Sequence, residues 1–120
     1  MTRWQSIKVR EADVLKAVLR FLHIHPAVAW CERMNVGAQE INGRYVKFGF
    51  AGCSDIIGQT KAGLFMAIEC KGPRGKLTTY QMIFLKRVER AGGVAIVARD
   101  VRDVAQVLDG LLRRKPDGVK

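Results

Sequence analysis

Apolar residues near the start of the chain recur at the spacing of a helix. Val14, Leu15, Val18 and Leu22 form one stripe, which predicts a helix from about Lys8 to Leu22, closed by Pro26. Extended backwards by three or four residues, the stripe lands on Glu11, a carboxylate on the side that should face the core. "AVAWCERMN" follows as a strand running into a loop. Asn42-Gly43 then signals a hairpin, because both residues accept the positive φ of a type I′ turn. The next strand, "YVKFGF", alternates Val46, Phe48 and Phe50 on one face, and Gly49 and Gly52 predict a bend or bulge beyond it.

The middle of the chain changes period. "CSDIIG" and "LFMAIEC" are short apolar runs separated by "QTKAG", the pattern of two strands in a hairpin. A loop centred on Ala62 sets Asp55 opposite Glu69. Side chains alternate along a strand, so Glu69 and Lys71 leave from the same face. The glycine-bearing, basic "KGPRGK" leads into a second helix, "LTTYQMIFLKRVERAGG". Thr78 is its N-cap and Gln81 its capping-box partner, Leu77 with Met82 fits a hydrophobic staple, and Gly92 takes the C′ position. "VAIVA" is apolar throughout, as in a strand covered on both faces. Strand, helix, strand in that order predicts a right-handed crossover and a parallel pair. A last helix, from about Val101 to Leu112, carries Val104, Leu108, Leu111 and Leu112 on one face, followed by a loose basic tail over 113–120. The predicted class is α/β: a mixed sheet flanked by helices, in one domain over 1–120.

Composition adds a partner to this picture. Hydrophobic content of 48% and charged content of 27% are ordinary globular values, but 21 Lys and Arg against 11 Asp and Glu leave a net charge of +10. A domain so basic repels itself unless it meets something anionic, of which nucleic acid is the commonest and a membrane surface the rival. No run of about 18 apolar residues exists to cross a membrane, and the basic amphipathic helix that a surface-bound protein needs is missing. The first residues carry charges where a signal peptide has its apolar segment, which predicts a cytosolic protein. Cys31, Cys53 and Cys70 are too widely spaced for a zinc site and are expected to be reduced and buried.

Asp55, Glu69, Lys71 and, through its stripe, Glu11 are the residues able to do chemistry. Carboxylates brought within a few ångströms raise one another's proton affinity unless a cation intervenes. One lysine offsets only part of that; a hard divalent ion such as Mg²⁺ or Mn²⁺, which takes oxygen ligands, offsets the rest. Such an ion would polarise a phosphoryl oxygen and acidify water, chemistry suited to phosphodiester hydrolysis. Lys71 could orient the water or stabilise charge on the phosphate.

In its order and spacing, "GCSDIIGQTKAGLFMAIECKGPRGKLTTYQMIFLKRVERAGGVAIVA" resembles the VRR-NUC family of the PD-(D/E)xK nuclease superfamily. There a G-x-S-D-I-x-G strand precedes E-x-K, then a helix glutamine and a Gly-Gly. "ERMNVGA" is similar to the family's Arg-x-Asn-x-Gly segment, so the resemblance runs from Glu11 onward. It implies a restriction-endonuclease-like fold and metal-dependent DNA cleavage. Asp55 and Glu69 match the metal ligands, Lys71 the catalytic lysine, Gln81 the helix glutamine and Glu11 the acidic residue of the first helix. The Cys70 backbone carbonyl matches a further ligand, and Arg33 and Asn35 fall on the DNA-contacting segment. Ser54 stands where the wider superfamily has proline. Stand-alone members resemble phage and bacterial proteins that dimerise and act on branched DNA, so a homodimer with that substrate is implied.

Plainer readings exist for each residue. Glu69 and Lys71 alone would equally suit an exposed ion pair, and Asp55 a turn. Glu11 would favour the positive end of its helix without any metal. A Gln81 that caps Thr78 is not expected to reach a metal site as well. His23 and His25, at a helix end, suit a solvated role or a dipole contact; Trp4, Trp30 and Tyr80 suit packing, with base stacking as Tyr80's alternative. Arg74 and Lys76, with Lys86, Arg87 and Arg90, are candidates for a phosphate-binding surface, for which the last three equally suit a solvated helix face. Against the nuclease stands a non-catalytic nucleic-acid-binding module, which explains the charge but not the Asp55, Glu69 and Lys71 alignment.

Overall fold

The computed structural model describes residues 10–34 and 37–113. Arg10 is extended and helix α1 runs from Glu11 to Ile24, so it starts three residues later than the stripe suggests and ends two residues later. Val14, Val18 and Leu22 are its buried face. Strand β1 (Val28–Arg33) follows, then the hairpin β2 (Gly37–Ile41) and β3 (Arg44–Phe48), β4 (Ile56–Thr60), β5 (Phe65–Cys70), helix α2 (Thr79–Arg90), β6 (Val94–Ala98) and helix α3 (Val101–Arg113). Arg113, expected in the tail, closes α3; residues 114–120, like Trp4, Lys8, Asn35 and the Phe48 side chain, lie outside the described residues.

Four strands make one mixed sheet in the order β1-β4-β5-β6, antiparallel except for the parallel pair β5 and β6. Its two faces are covered differently. Val14, Val18 and Leu22 of α1 and Val104 and Leu108 of α3 pack with Ile56, Met66, Ile68 and Ile96 into the larger core. On the other face Leu85 and Val88 of α2 close over Ala67, Ala95 and Val97. The continuous apolar run of β6 is thus explained, since Val94, Ile96 and Ala98 serve one core and Ala95 and Val97 the other. Leu111 packs at the rim of the larger core, but Leu112 is exposed, contrary to the stripe expected for α3.

The strands β2 and β3 form a separate two-stranded sheet, joined through Asn42 (φ 51) and Gly43 (φ 77) as a type I′ turn requires. Phe50 lies past the end of β3 and meets Phe84 edge to face, with centroids 5.0 Å apart. At the far end of α2 the amides of Gly92 and Gly93 bond to the carbonyls of Glu89 and Val88, a Schellman closure that turns the chain into β6. All three cysteines are buried and unpaired. No described helix is long and apolar enough to cross a membrane.

Candidate active site

The hairpin register decides where the acids meet. Ile56 pairs with Ile68, Ile57 with Ala67 and Gly58 with Met66, so the ladder is centred on Ala62 and projects Asp55 opposite Glu69. Two backbone bonds hold Asp55 there: its carbonyl accepts from Met34 N–H at 2.7 Å, and its Oδ2 accepts from Cys70 N–H at 2.8 Å. Buried Ser54 braces the same turn, its hydroxyl donating to the Ile56 carbonyl at 2.8 Å. In an extended strand a residue's N–H and C=O leave along the same edge, so the Cys70 carbonyl faces the Asp55 side. The Cys70 thiol plays no part, because burial and then the charges of Asp55, Glu69 and Glu11 push it up to about 12, where it stays protonated.

Glu69 is 2% exposed. Its Oε1 accepts from Gln81 Nε2 at 3.1 Å, while Oε2 is buried with no hydrogen-bond partner. Burial first, then the negative charge of Asp55 and a proton that the two carboxyls can share only while Glu69 is neutral, raise its carboxyl to about 8, against the opposing pull of Lys71; once ionised, Oε2 has no donor. Glu11, at the start of α1, brings an oxygen from the other core face: one oxygen each from Glu11, Asp55 and Glu69 lie within 4.8 Å of one another. Buried polar atoms in folded proteins are nearly always paired, so an orphaned oxygen in a carboxylate cluster marks a place for a cation. All three donors are hard oxygens, and the cluster fits a divalent metal.

Lys71 continues the β5 line, its N–H bonding to the Ala98 carbonyl at 2.9 Å, and so shares a face with Glu69. It is buried, with Nζ 3.9 Å from Glu11 Oε1. The stem is confined by the turn that follows: a Cβ on Gly75 would sit 3.2 Å from Lys71 Cδ. Arg99 pins that turn by donating from Nη1 to the Gly72 carbonyl at 2.7 Å. Sequence reasoning missed Arg99, and no local signal marks a residue that acts across 27 positions. Arg74 and Lys76 are exposed on the same loop; Arg33 is exposed at the end of β1. Lys86, Arg87 and Arg90 are exposed on α2.

Gln81 corrects the either-or expected of it. Thr78 N–H donates to Gln81 Oε1 at 2.9 Å and Gln81 N–H to Thr78 Oγ1 at 3.1 Å, a complete capping box. The same amide still donates from Nε2 to Glu69. A glutamine side chain has a carbonyl end and an NH₂ end, so one can cap while the other reaches the acids. The hydrophobic staple gains less support: Leu77 packs on the α2-side core, but Met82 is half exposed. Trp30 and Tyr80 are not packing residues either, at 44% and 64% exposed; Trp30 donates to Gln59 Oε1 at 3.0 Å across the edge strand pair. His25 is buried rather than solvated, with Nε2 2.8 Å from Asp109 Oδ1.

Among the described residues, clefts open at two places that bear on the site. The larger, ≈ 790 Å³, is lined by Phe50, Phe65, Phe84, Arg87 and Val88 among others and has no carboxylate in its wall. The smaller, ≈ 440 Å³, includes Asp55 and Gln81 and so adjoins the acidic cluster. Size would favour the first, but the groups able to do chemistry belong to the second.

A mixed sheet that delivers two carboxylates and a lysine to one end, with helices on both faces, agrees with a restriction-endonuclease-like core. The VRR-NUC domain family model matches residues 3–102, and the chain belongs to that family, whose function is that of a nuclease with DNA as its partner. No curated protein and no solved structure matched the chain.

Proposed function

We propose that the protein is a Mg²⁺- or Mn²⁺-dependent DNA endonuclease whose site is Glu11, Asp55, Glu69, the Cys70 carbonyl, Lys71 and Gln81. The observation that carries this reading is the buried Glu69 oxygen without a partner, set in a cluster with Asp55 and Glu11. Asp55, Glu69 and the Cys70 carbonyl would hold the ion, with Glu11 closing the side toward α1. When bound, it would supply Lewis-acid polarisation of the scissile phosphoryl group and acidify the attacking water.

The chain's own residues set up the rest. Cys70 N–H fixes one Asp55 oxygen and leaves the other for the ion; Gln81 does the same for Glu69. Lys71 Nζ, on a stem held by the Gly72–Gly75 turn, is placed to donate to a non-bridging phosphoryl oxygen or to the attacking water. Arg33, Arg74 and Lys76 would neutralise flanking phosphates, in keeping with the net charge of +10, and Asn35 would hydrogen-bond to the strand. Branched DNA as substrate and a homodimer as the acting form rest on the resemblance to stand-alone members of the family; two sites would suit cutting two strands of a junction.

Lys71→Ala tests the assignment. Cleavage of a branched oligonucleotide in Mn²⁺ should fall by about 10²- to 10³-fold, the usual loss on removing one preorganised donor, while affinity for the same DNA stays close to wild type. Cleavage retained in the variant rejects the role of Lys71. A wild-type protein that binds DNA yet cuts no structure in Mg²⁺ or Mn²⁺ is instead a binding module on a nuclease fold.

A further inference from the structure

The cleft beside the acids is lined by Tyr80, an aromatic residue that packing does not require. Tyr80 lies in the first turn of α2 and is 64% exposed, whereas that helix buries Leu85 and Val88. Its position is nonetheless fixed relative to the chemistry. Gly52, three residues before Asp55, has φ +85, and a Cβ there would lie 2.2 Å from the Tyr80 carbonyl oxygen and 3.0 Å from Tyr80 Cβ. Only glycine fits, so the turn that carries Asp55 abuts the backbone that carries the ring.

Arg33 and Met34, at the end of β1, line the same cleft as Tyr80, together with Asp55 and Gln81. The cleft of ≈ 440 Å³ falls within the range of about 300 to 1,000 Å³ usual for small-ligand sites. It shares Asp55 with the acidic cluster and Gln81 with the hydrogen bond to Glu69, so a strand whose phosphate sits at that cluster has this cleft beside it. An exposed aromatic and a guanidinium lining one cleft supply the chemistry that holds unpaired bases, the ring stacking on the base and the cation on the phosphate.

We propose that this cleft is a nucleotide subsite in which Tyr80 stacks on the base next to the scissile phosphate and Arg33 neutralises the neighbouring phosphate. Stacking on a side chain requires the base to leave its duplex neighbours, so the subsite selects strands that are unpaired or splayed at the cutting point. That the neighbouring phosphate is the one cut rests on the nuclease reading; the stacking itself does not.

The test is a binding cycle on a fluorescein-labelled forked oligonucleotide, in Ca²⁺, with wild type, Tyr80→Ala and Tyr80→Phe. Tyr80→Ala should weaken fork binding by about tenfold, leave fully paired duplex unaffected, and melt like wild type; Tyr80→Phe should restore fork affinity. An abasic residue stepped along the fork arm should weaken wild-type binding similarly at one position, and there Tyr80→Ala should add no further loss. The proposal is overturned if Tyr80→Ala binds the fork as wild type does, if Tyr80→Phe fails equally, or if abasic and Tyr80→Ala losses add at every position. A complete cycle with no cutting in Mg²⁺ or Mn²⁺ would reject the nuclease reading and leave the stacking subsite in place.

Discussion

Among the buried polar side chains, His25 and Glu69 stand at opposite degrees of satisfaction. His25, 8% exposed, closes the corner between α1 and α3 with both ring nitrogens engaged: Nδ1 accepts from Ala27 N–H at 3.1 Å, and Nε2 faces Asp109 Oδ1 at 2.8 Å. Glu69, 2% exposed, has one oxygen bonded and one with nothing. Both would be expensive to bury alone. A fully paired buried group is a tie and a half-paired one is a receptor, because only the second leaves free energy for a ligand to recover. The largest test of that contrast is Glu69→Gln. It should lower cleavage by about 10²-fold or more while leaving the metal-free fold at least as stable, since an amide carries no charge to desolvate. A Glu69→Gln protein that cuts at the wild-type rate would put both residues in the same structural class.

The receptor should also register in the pH dependence of stability. In the metal-free fold the Glu69 carboxyl is raised from 4.5 to about 8. Between those values the folded chain holds a proton that the unfolded chain has released. The stability this contributes is complete below pH 4.5 and is lost as pH climbs to about 8. Wild type should therefore lose stability relative to Glu69→Gln across that window, by about several kcal/mol at the most, read as a falling Tm. Mn²⁺ added at pH 7 should reverse the loss and release protons to the solution, as binding to a protonated ligand must. A difference between wild type and Glu69→Gln that stays constant over the window would show that Glu69 is ionised throughout.

His25 should behave in the opposite way. Its removal in His25→Ala leaves the Ala27 amide without its acceptor and costs about 1 to 3 kcal/mol, a fall in Tm of roughly 5 to 10 °C for a chain of this size. Cleavage below the melting range should be unaffected, because His25 contacts Ala27 and Asp109 and none of Glu11, Asp55 and Glu69. Activity lost in proportion to Glu69→Gln would end the contrast from the other side.

The two sites differ as well in how far the sequence discloses them. Alternation along "LFMAIECKG" and a loop centred on Ala62 were enough to bring Asp55 opposite Glu69, since in a short hairpin the register follows from local spacing. Thr78 and Gln81 were legible as a cap for the same reason: the interaction spans three residues. The His25–Asp109 tie spans 84 positions, and Arg99 reaches the Gly72 carbonyl across 27; neither follows from any periodicity. Exposure of Trp30 and Tyr80 escaped notice because aromatic residues usually bury. The position of Gln81 is legible, but its double use is not, because the two ends of one amide bond to different partners and spacing describes only the first.

That amide permits the finest separation. Thr78→Ala deletes the hydroxyl that accepts from Gln81 N–H but keeps the Thr78 backbone N–H, so Gln81 Oε1 retains its anchor and Nε2 its aim at Glu69. The variant should lose about 1 kcal/mol of stability, as N-cap deletions do, with cleavage within about twofold of wild type. Gln81→Ala removes the anchor and also the hydrogen bond to Glu69. Its stability loss should be similar, but its cleavage should fall by about tenfold or more, the worth of one hydrogen bond to a charged group. Thermal melts and cleavage rates measured side by side decide the point. If the two variants match in both, Gln81 serves only the helix, and Glu69 holds its place without it.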